Sequence, residues 1–188
     1  DSGADAIGAD SLICRVSSYY HDVGKLENPM MFTENQDGIN PHDRLSPEES
    51  TRIITRHPED SVRIGKRYHL PQPLLQIALE HHGSKPDIED YRYRTPLPST
   101  RESGVVMLAD SVEAAMKSAG VQDLEEAEKL MRNIVKIKND QNQFVNSGLS
   151  FSDVEKILQA FLQVYAGQFH ERIKYPEPAE GEEEISRA

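Results

Sequence analysis

Leu74-Leu75-Gln76-Ile77-Ala78-Leu79-Glu80-His81-His82-Gly83 is the stretch whose reading settles the fold class. Leu74, Leu75 and Ala78 recur at helical spacing, and His81 and His82 continue the same face at i+7 and i+8. Gly83 stands where a helix C′ glycine ends the element. Two imidazoles therefore sit at the core-facing end of a helix, where apolar residues are expected. The period recurs in Leu12, Ile13, Val16, Tyr19 and Tyr20 and again in Val154, Ile157, Leu158, Phe161 and Leu162. Ser46-Pro47-Glu48-Glu49 is a capping box with Pro at the first helical position, Ser152 with Glu155 repeats the box, and Gly167 marks a further helix end. Helices are predicted near 10–21, 47–57, 59–68, 72–82, 101–118, 123–139 and 152–166, and no segment alternates as a strand. The fold class is all-α, a helical bundle. Two long non-helical stretches, 25–45 and 83–100, both contain aromatic residues, and loops of that length in a small domain tend to be functional or mobile.

The chain has 188 residues, 37% hydrophobic and 28% charged, with 21 Lys plus Arg against 32 Asp plus Glu and a net charge of −11. This composition supports one core, assigned to residues 1–175. Residues 176–188 (PEPAEGEEEISRA) carry five Glu and one Arg and too few apolar side chains to offset ordering entropy, so they read as an acidic flexible tail. The charge excludes a binder of nucleic-acid polymers through basic residues and argues against direct contact with anionic membranes. One cysteine, Cys14, leaves no internal disulfide. No stretch approaches the roughly 20 apolar residues of a membrane span.

Seven histidines are present, and their placement matters more than their number. His21-Asp22 ends the first predicted helix, His57 follows Ile53 and Ile54 on a core side, and Asp110 interrupts the apolar run Val105-Val106-Met107-Leu108-Ala109. Taken singly, each has an ordinary reading as a hydrogen-bonded packing residue. Together, four inward imidazoles and two carboxylates would burden a helical core unless a cation shared them. The six candidates donate N or O and no thiolate, which suits Fe, Mn, Co or Zn. Six ligands exceed one tetrahedral ion, so the expectation is a two-metal site in which the oxygens of Asp22 bridge. Two ions roughly 3.5–4 Å apart are an established clamp for displacement at phosphorus. In His21-Asp22-Val23-Gly24-Lys25, Gly24 is expected to let the chain leave the helix sharply. Lys25 then lies one turn from the ligands, either as a phosphate contact or as a solvated loop lysine.

These residues, with Ser18-Tyr19-Tyr20 before the HD pair, Glu34-Asn35-Gln36, Asn40-Pro41-His42-Asp43, Leu45-Ser46-Pro47, Asp90-Tyr91-Arg92-Tyr93 and the run from Ala109 to Ala115, resemble the HD superfamily of metal-dependent phosphohydrolases. The closer resemblance is to the intracellular HD domain of bacterial seven-transmembrane receptor HD hydrolases, and it covers most of the chain up to Ser118. It implies a compact HD-domain bundle with long loops near the site and a di-metal centre of iron or manganese. The implied activity is hydrolysis of cyclic di-AMP to linear pApA by attack of a metal-activated water on phosphorus. By the same resemblance His21, Asp22, His57, His81, His82 and Asp110 are the ligands, Asp22 is the bridge and catalytic carboxylate, and Lys25 is a second catalytic residue and the candidate substrate phosphate contact. The implied setting is the cytoplasmic part of a bacterial plasma-membrane protein, with transmembrane and sensor parts as partners and homodimer formation left open.

The family carries a further histidine ligand on an upstream helix that this sequence does not include, and extra residues between the positions of Gly83 and Ser84; here His82 and Asp110 are 28 positions apart. Two alternatives remain at this point. One keeps the metal site and changes the substrate to cyclic di-GMP or another nucleotide, although no Gly-Tyr-Pro follows His81-His82. The other is a nucleotide-sensing module without turnover.

Overall fold

In the computed structural model, residues 1–84 and 93–171 are described, with side chains to residue 167. Among these residues the chain forms seven α-helices and no strand: α1 (Ser2–Ile7), α2 (Ser11–Tyr20), α3 (Pro47–Arg67), α4 (Gln72–Glu80), α5 (Arg101–Ala119), α6 (Leu124–Asp140) and α7 (Phe151–Glu171). The tail expected at 176–188, and Asp90, Tyr91 and Arg92, lie outside the described residues.

Local chemistry sets most of the helix ends. Ser46 Oγ accepts from the Glu49 N–H, and the Glu49 carboxylate accepts from the Ser46 N–H, completing the predicted box at the start of α3. Gly83 has φ +65 directly after α4 and His81-His82, in the left-handed region that ends helices. The cap of α7 lies two residues earlier than predicted: Ser150 and Asp153 form the box rather than Ser152 and Glu155, and Phe151 faces solvent. Gly167 lies inside α7, which runs on to Glu171, so it is not a helix end.

The two helices expected at 47–57 and 59–68 are one. Pro58 sits within α3 and has no N–H to give the Ile54 carbonyl, but His57 Nδ1 takes that oxygen at 2.7 Å. The proline at the gap between the two expected helices frees a carbonyl to hold a functional ring. The stretch 25–45 is not irregular either. It is a series of 3₁₀ turns at Val23–Glu27, Pro29–Met31, Thr33–Asn35 and Pro41–Arg44, the first of which packs on α3. Such turns carry no long hydrophobic period.

α5 is the spine. Its first half packs Val105, Val106 and Leu108 with Ala4, Ile7, Cys14, Ile77 and Ile157. Its second half packs Val112 and Met116 with Ala127, Met131, Ile134, Leu158 and Leu162. α1 has too few residues to show a period and is held by Ala4 and Ile7 against this core. In α2 the apolar face read from the sequence holds only in part: Ile13 packs against the core. Leu12 and Tyr19 are 66% and 76% exposed, whereas Cys14 and Ser17 are buried where α4 and α5 approach. Small side chains let helices come close, and here that requirement outranks hydrophobicity.

Candidate metal centre

Four elements deliver the predicted residues to one place. His21 and Asp22 follow the last turn of α2, His57 is mid-α3, His81 and His82 follow α4, and Asp110 is mid-α5. Gly24 brings the α2 end against α3. Its N–H donates to Ser61 Oγ at 2.8 Å, and that hydroxyl donates to the His21 carbonyl at 2.7 Å. A Cβ on Gly24 would stand 2.0 Å from the His57 carbonyl oxygen and 2.5 Å from Ser61 N. Gly24 is not among the residues with positive φ. Its glycine is needed for close approach and not, as expected from the sequence, for a sharp exit from the helix.

Three of the imidazoles are fixed in the same way. Nδ1 meets a backbone carbonyl one turn back: His57 to Ile54 at 2.7 Å, His81 to Ala78 at 2.8 Å, and His21 to Ser17 and Ser18 at 3.2 and 3.1 Å. A carbonyl only accepts, so it assigns the proton to Nδ1 and leaves Nε2 of the neutral ring as a lone pair. The Nε2 atoms of His81 and His82 both approach that of His57. His57 Nε2 is 3.4 Å from His81 Nε2, 3.0 Å from His82 Nε2 and 3.1 Å from Asp22 Oδ1. The potential ligand atoms of Asp22, His57, His81 and His82 all lie within 4.8 Å of one another. Asp22 Oδ1 is buried there with no hydrogen-bond partner. Lone pairs and a carboxylate oxygen facing one another repel, and a cation between them removes the repulsion. The donor set therefore fits a divalent metal, and the carbonyl bonds to Nδ1 are the outer-shell partners that orient such ligands.

The two oxygens of Asp22 face different halves of the cluster. Oδ1 meets His57 and His81, at 3.1 and 3.5 Å, while Oδ2 lies 3.5 Å from His21 Nε2. Asp110 closes the second half, 3.7 Å from His21 Nε2 and 3.8 Å from His82 Nδ1. Thus all six predicted residues converge. The HD domain family model matches residues 3–115, a range that includes all six.

The chain belongs to the HD domain family. It is 39% identical over 190 residues to the cyclic-di-AMP phosphodiesterase PgpH of Listeria monocytogenes and 38% identical over 193 residues to PgpH of Bacillus subtilis, covering 93% and 94% of this chain. It spans only about a quarter of those relatives, 26% and 27% of their lengths. The crystal structure of the L. monocytogenes PgpH HD domain superposes with a TM-score of 0.84 at 38% identity, covering 90% of this chain and 87% of that one. The same domain in complex with cyclic-di-AMP matches with a TM-score of 0.84 at 37% identity, covering 89% of this chain and 86% of that one.

The electrostatics of this HD domain suit ligation, which requires deprotonated donors. Burial, followed by the nearby His81 and His57, pushes His82 far below the ordinary histidine value, and burial also lowers His81. Burial works to raise Asp22, but its charged neighbours, the Lys25 ammonium among them, hold it well below the carboxylate range. His21 alone goes the other way: burial opposes its charge, and Asp110 with Asp22 outweighs the burial.

Lys25 is not a solvated loop lysine. Its Nζ donates to Asp22 Oδ2 at 2.8 Å and to Glu34 Oε1 at 2.7 Å, and it lies 5.2 Å from the Phe32 ring centroid. Phe32, 8% exposed, stands edge-on to His57 at 5.6 Å. Tyr93 stacks on His82 at 3.9 Å with 24° between the planes. Neither ring was singled out from the sequence for a role, because an aromatic residue in a loop has no period to mark it. Ser61 was missed for a similar reason: a buried serine inside a helix looks like any other small residue until its partners are seen.

Proposed function

We propose that this HD domain is a phosphodiesterase that hydrolyses cyclic di-AMP to linear pApA with two divalent ions, iron or manganese, held by His21, Asp22, His57, His81, His82 and Asp110. The observation that carries the reading is the division of Asp22: one oxygen serves the His57–His81 half and the other the His21–Asp110 half, as a bridging carboxylate requires. When bound, the ions supply the acidity that yields a nucleophilic water near neutral pH and the charge that meets phosphate oxygens. That local charge answers the acidic composition of the chain, since the phosphodiester need not be met by a basic face.

The remaining roles fall to the chain's own side chains. His57 and His81 side chains are 2% and 0% exposed, whereas Asp22, His82 and Asp110 are 30%, 23% and 22% exposed, so substrate approaches from the Asp22–His82–Asp110 side. Lys25 has three N–H donors, two of them taken by Asp22 and Glu34, and the third is left for a phosphate oxygen. Glu34 keeps the ammonium at the mouth of the site. We further place the domain on the cytoplasmic side of a bacterial membrane protein, on the resemblance of its motifs to the intracellular HD domain of seven-transmembrane receptor HD hydrolases.

The test is turnover by the protein reconstituted with Mn²⁺ or, anaerobically, Fe²⁺, with the nucleotides separated chromatographically. Cyclic di-AMP is expected to give pApA, and Asp22→Ala to abolish the product. Unaltered cyclic di-AMP bound stoichiometrically at full metal loading would instead identify a sensing module, and faster cleavage of cyclic di-GMP would reassign the substrate.

A further inference from the structure

Gln143 lies in the turn after α6, remote in sequence from every ligand, and is 0% exposed. Its amide engages both backbone groups of Ser84. Oε1 accepts from the Ser84 N–H at 3.1 Å, and Nε2 donates to the Ser84 carbonyl as well as to the Gln141 carbonyl at 3.1 Å. A primary amide set against a peptide unit in this way imitates a rung of a β-ladder. Thr95, 5% exposed, adds a bond from Oγ1 to the Gly83 carbonyl at 2.6 Å. Gly83 must be glycine for this approach, since a Cβ there would stand 2.0 Å from Gln143 Oε1, and its φ is +65.

The pinned residue leads back to the centre. Ser84 is bridged to Arg94, and the neighbour of Arg94 is Tyr93, whose ring lies flat on His82. His82 needs such support. Unlike His21, His57 and His81, its Nδ1 meets no backbone carbonyl among the described residues and faces Asp110, at 3.8 Å. Among the described residues, then, it is stacking by Tyr93 that sets the orientation of this ring.

We propose that Gln143 is a positioning residue of the centre: by clamping Ser84 it keeps Tyr93 flat on His82, and so sets the orientation of that one ligand. The kinetic part rests on the phosphodiesterase reading above, whereas the spectroscopic part does not. A ring lying over an imidazole shifts the imidazole's carbon-bound protons upfield, so the His82 ring protons, assigned with His82→Gln, report the stack directly. The variants are Gln143→Glu, which keeps the shape and the bond from the Ser84 N–H; Gln143→Met, which removes both bonds; Tyr93→Leu; and Tyr93→Phe. Spectra are recorded in EDTA and with diamagnetic Zn²⁺.

Tyr93→Leu should move the His82 protons downfield, Tyr93→Phe should leave them in place, and both Gln143 variants should move them as Tyr93→Leu does. The same Gln143 variants should lose about 10-fold in Mn²⁺ affinity, with turnover of cyclic di-AMP largely restored at saturating Mn²⁺. Folded Gln143 variants with wild-type His82 shifts and Mn²⁺ affinity would overturn the proposal, since a purely structural glutamine would lower the melting temperature alone. If neither Gln143 variant folds, Thr95→Val tests the same clamp through Gly83, with the same shift expected and the same null result decisive. Absence of turnover in the wild-type protein would refute the phosphodiesterase reading and leave the proton shifts and Mn²⁺ affinity to judge this one.

Discussion

Replacing Gly24 with alanine tests the central geometric claim, that the HD turn is held by contact with the α3 backbone. The added Cβ would fall 2.0 Å from the His57 carbonyl oxygen, 2.5 Å from Ser61 N and 2.8 Å from Ser61 Oγ. Two of the three atoms are backbone in the middle of a long helix, so no rotamer change relieves the clash, and the turn must lift away. Overpacking of this kind costs about 1–3 kcal/mol. Loss of the bond from Gly24 N–H to the buried Ser61 hydroxyl adds about 1 kcal/mol. For a chain of this size each kcal/mol lowers Tm by about 2–4 °C, so a fall of roughly 5–15 °C is expected in calorimetry or circular dichroism. Lifting the turn also draws Asp22 away from His57 and His81, now 3.1 and 3.5 Å distant. Mn²⁺ affinity should then drop about 10- to 100-fold, the range found when the surroundings of ligands are disturbed. A Tm within about 2 °C of wild type together with unchanged Mn²⁺ affinity would show that the turn does not rest on α3, because a 1–3 kcal/mol clash cannot be that silent.

Gly167→Ala should behave in the opposite way: the residue lies inside α7 with nothing within 4 Å of a new Cβ, so removal of backbone freedom should raise stability by about 0.5–1 kcal/mol. A fall in Tm would mean that the helix ends there after all. For metal-free protein, His81 and His82 lie below the ordinary value of 6.5 when folded, so the unfolded chain binds more protons and stability should rise from about pH 5 to 6.5. His21 has the reverse sign: its contribution is complete below 6.5 and is lost as pH climbs through its raised folded value, so the rise should flatten or turn over above about pH 7. A Tm that is level from about pH 5 to 6.5 in EDTA would contradict this. Lys25→Ala should raise KM for cyclic di-AMP about 10-fold or more at equal metal content, the worth of one charge-assisted hydrogen bond. An unchanged KM would leave Lys25 as a partner of Asp22 and Glu34 only.

Much of the centre was legible because its chemistry breaks a pattern. Histidines on an apolar helical face, and an aspartate inside Val105–Leu108 and Ala109, are anomalies that a period exposes and that a cation explains. Where the pattern itself was ambiguous, the reading failed. Pro58 looks like a break unless one knows that His57 takes the Ile54 carbonyl. Leu12 and Tyr19 look like core unless one knows that helices close on Cys14 and Ser17. The cap of α7 slipped from Ser150 to Ser152 because two serines with acidic residues three positions on compete for the same signal.

Helical character and a set of six N and O donors as candidate ligands could be read from the residues, since period and ligand type are properties of the residues alone. Tertiary structure decided what depends on approach between distant segments. It made Gly24 a contact instead of a hinge and gave the two oxygens of Asp22 to different partners. It also brought Gln143 to Ser84 across 59 positions. Such distances are set by how closely helices pack, and close packing is a property of pairs of surfaces, which no single stretch of residues contains.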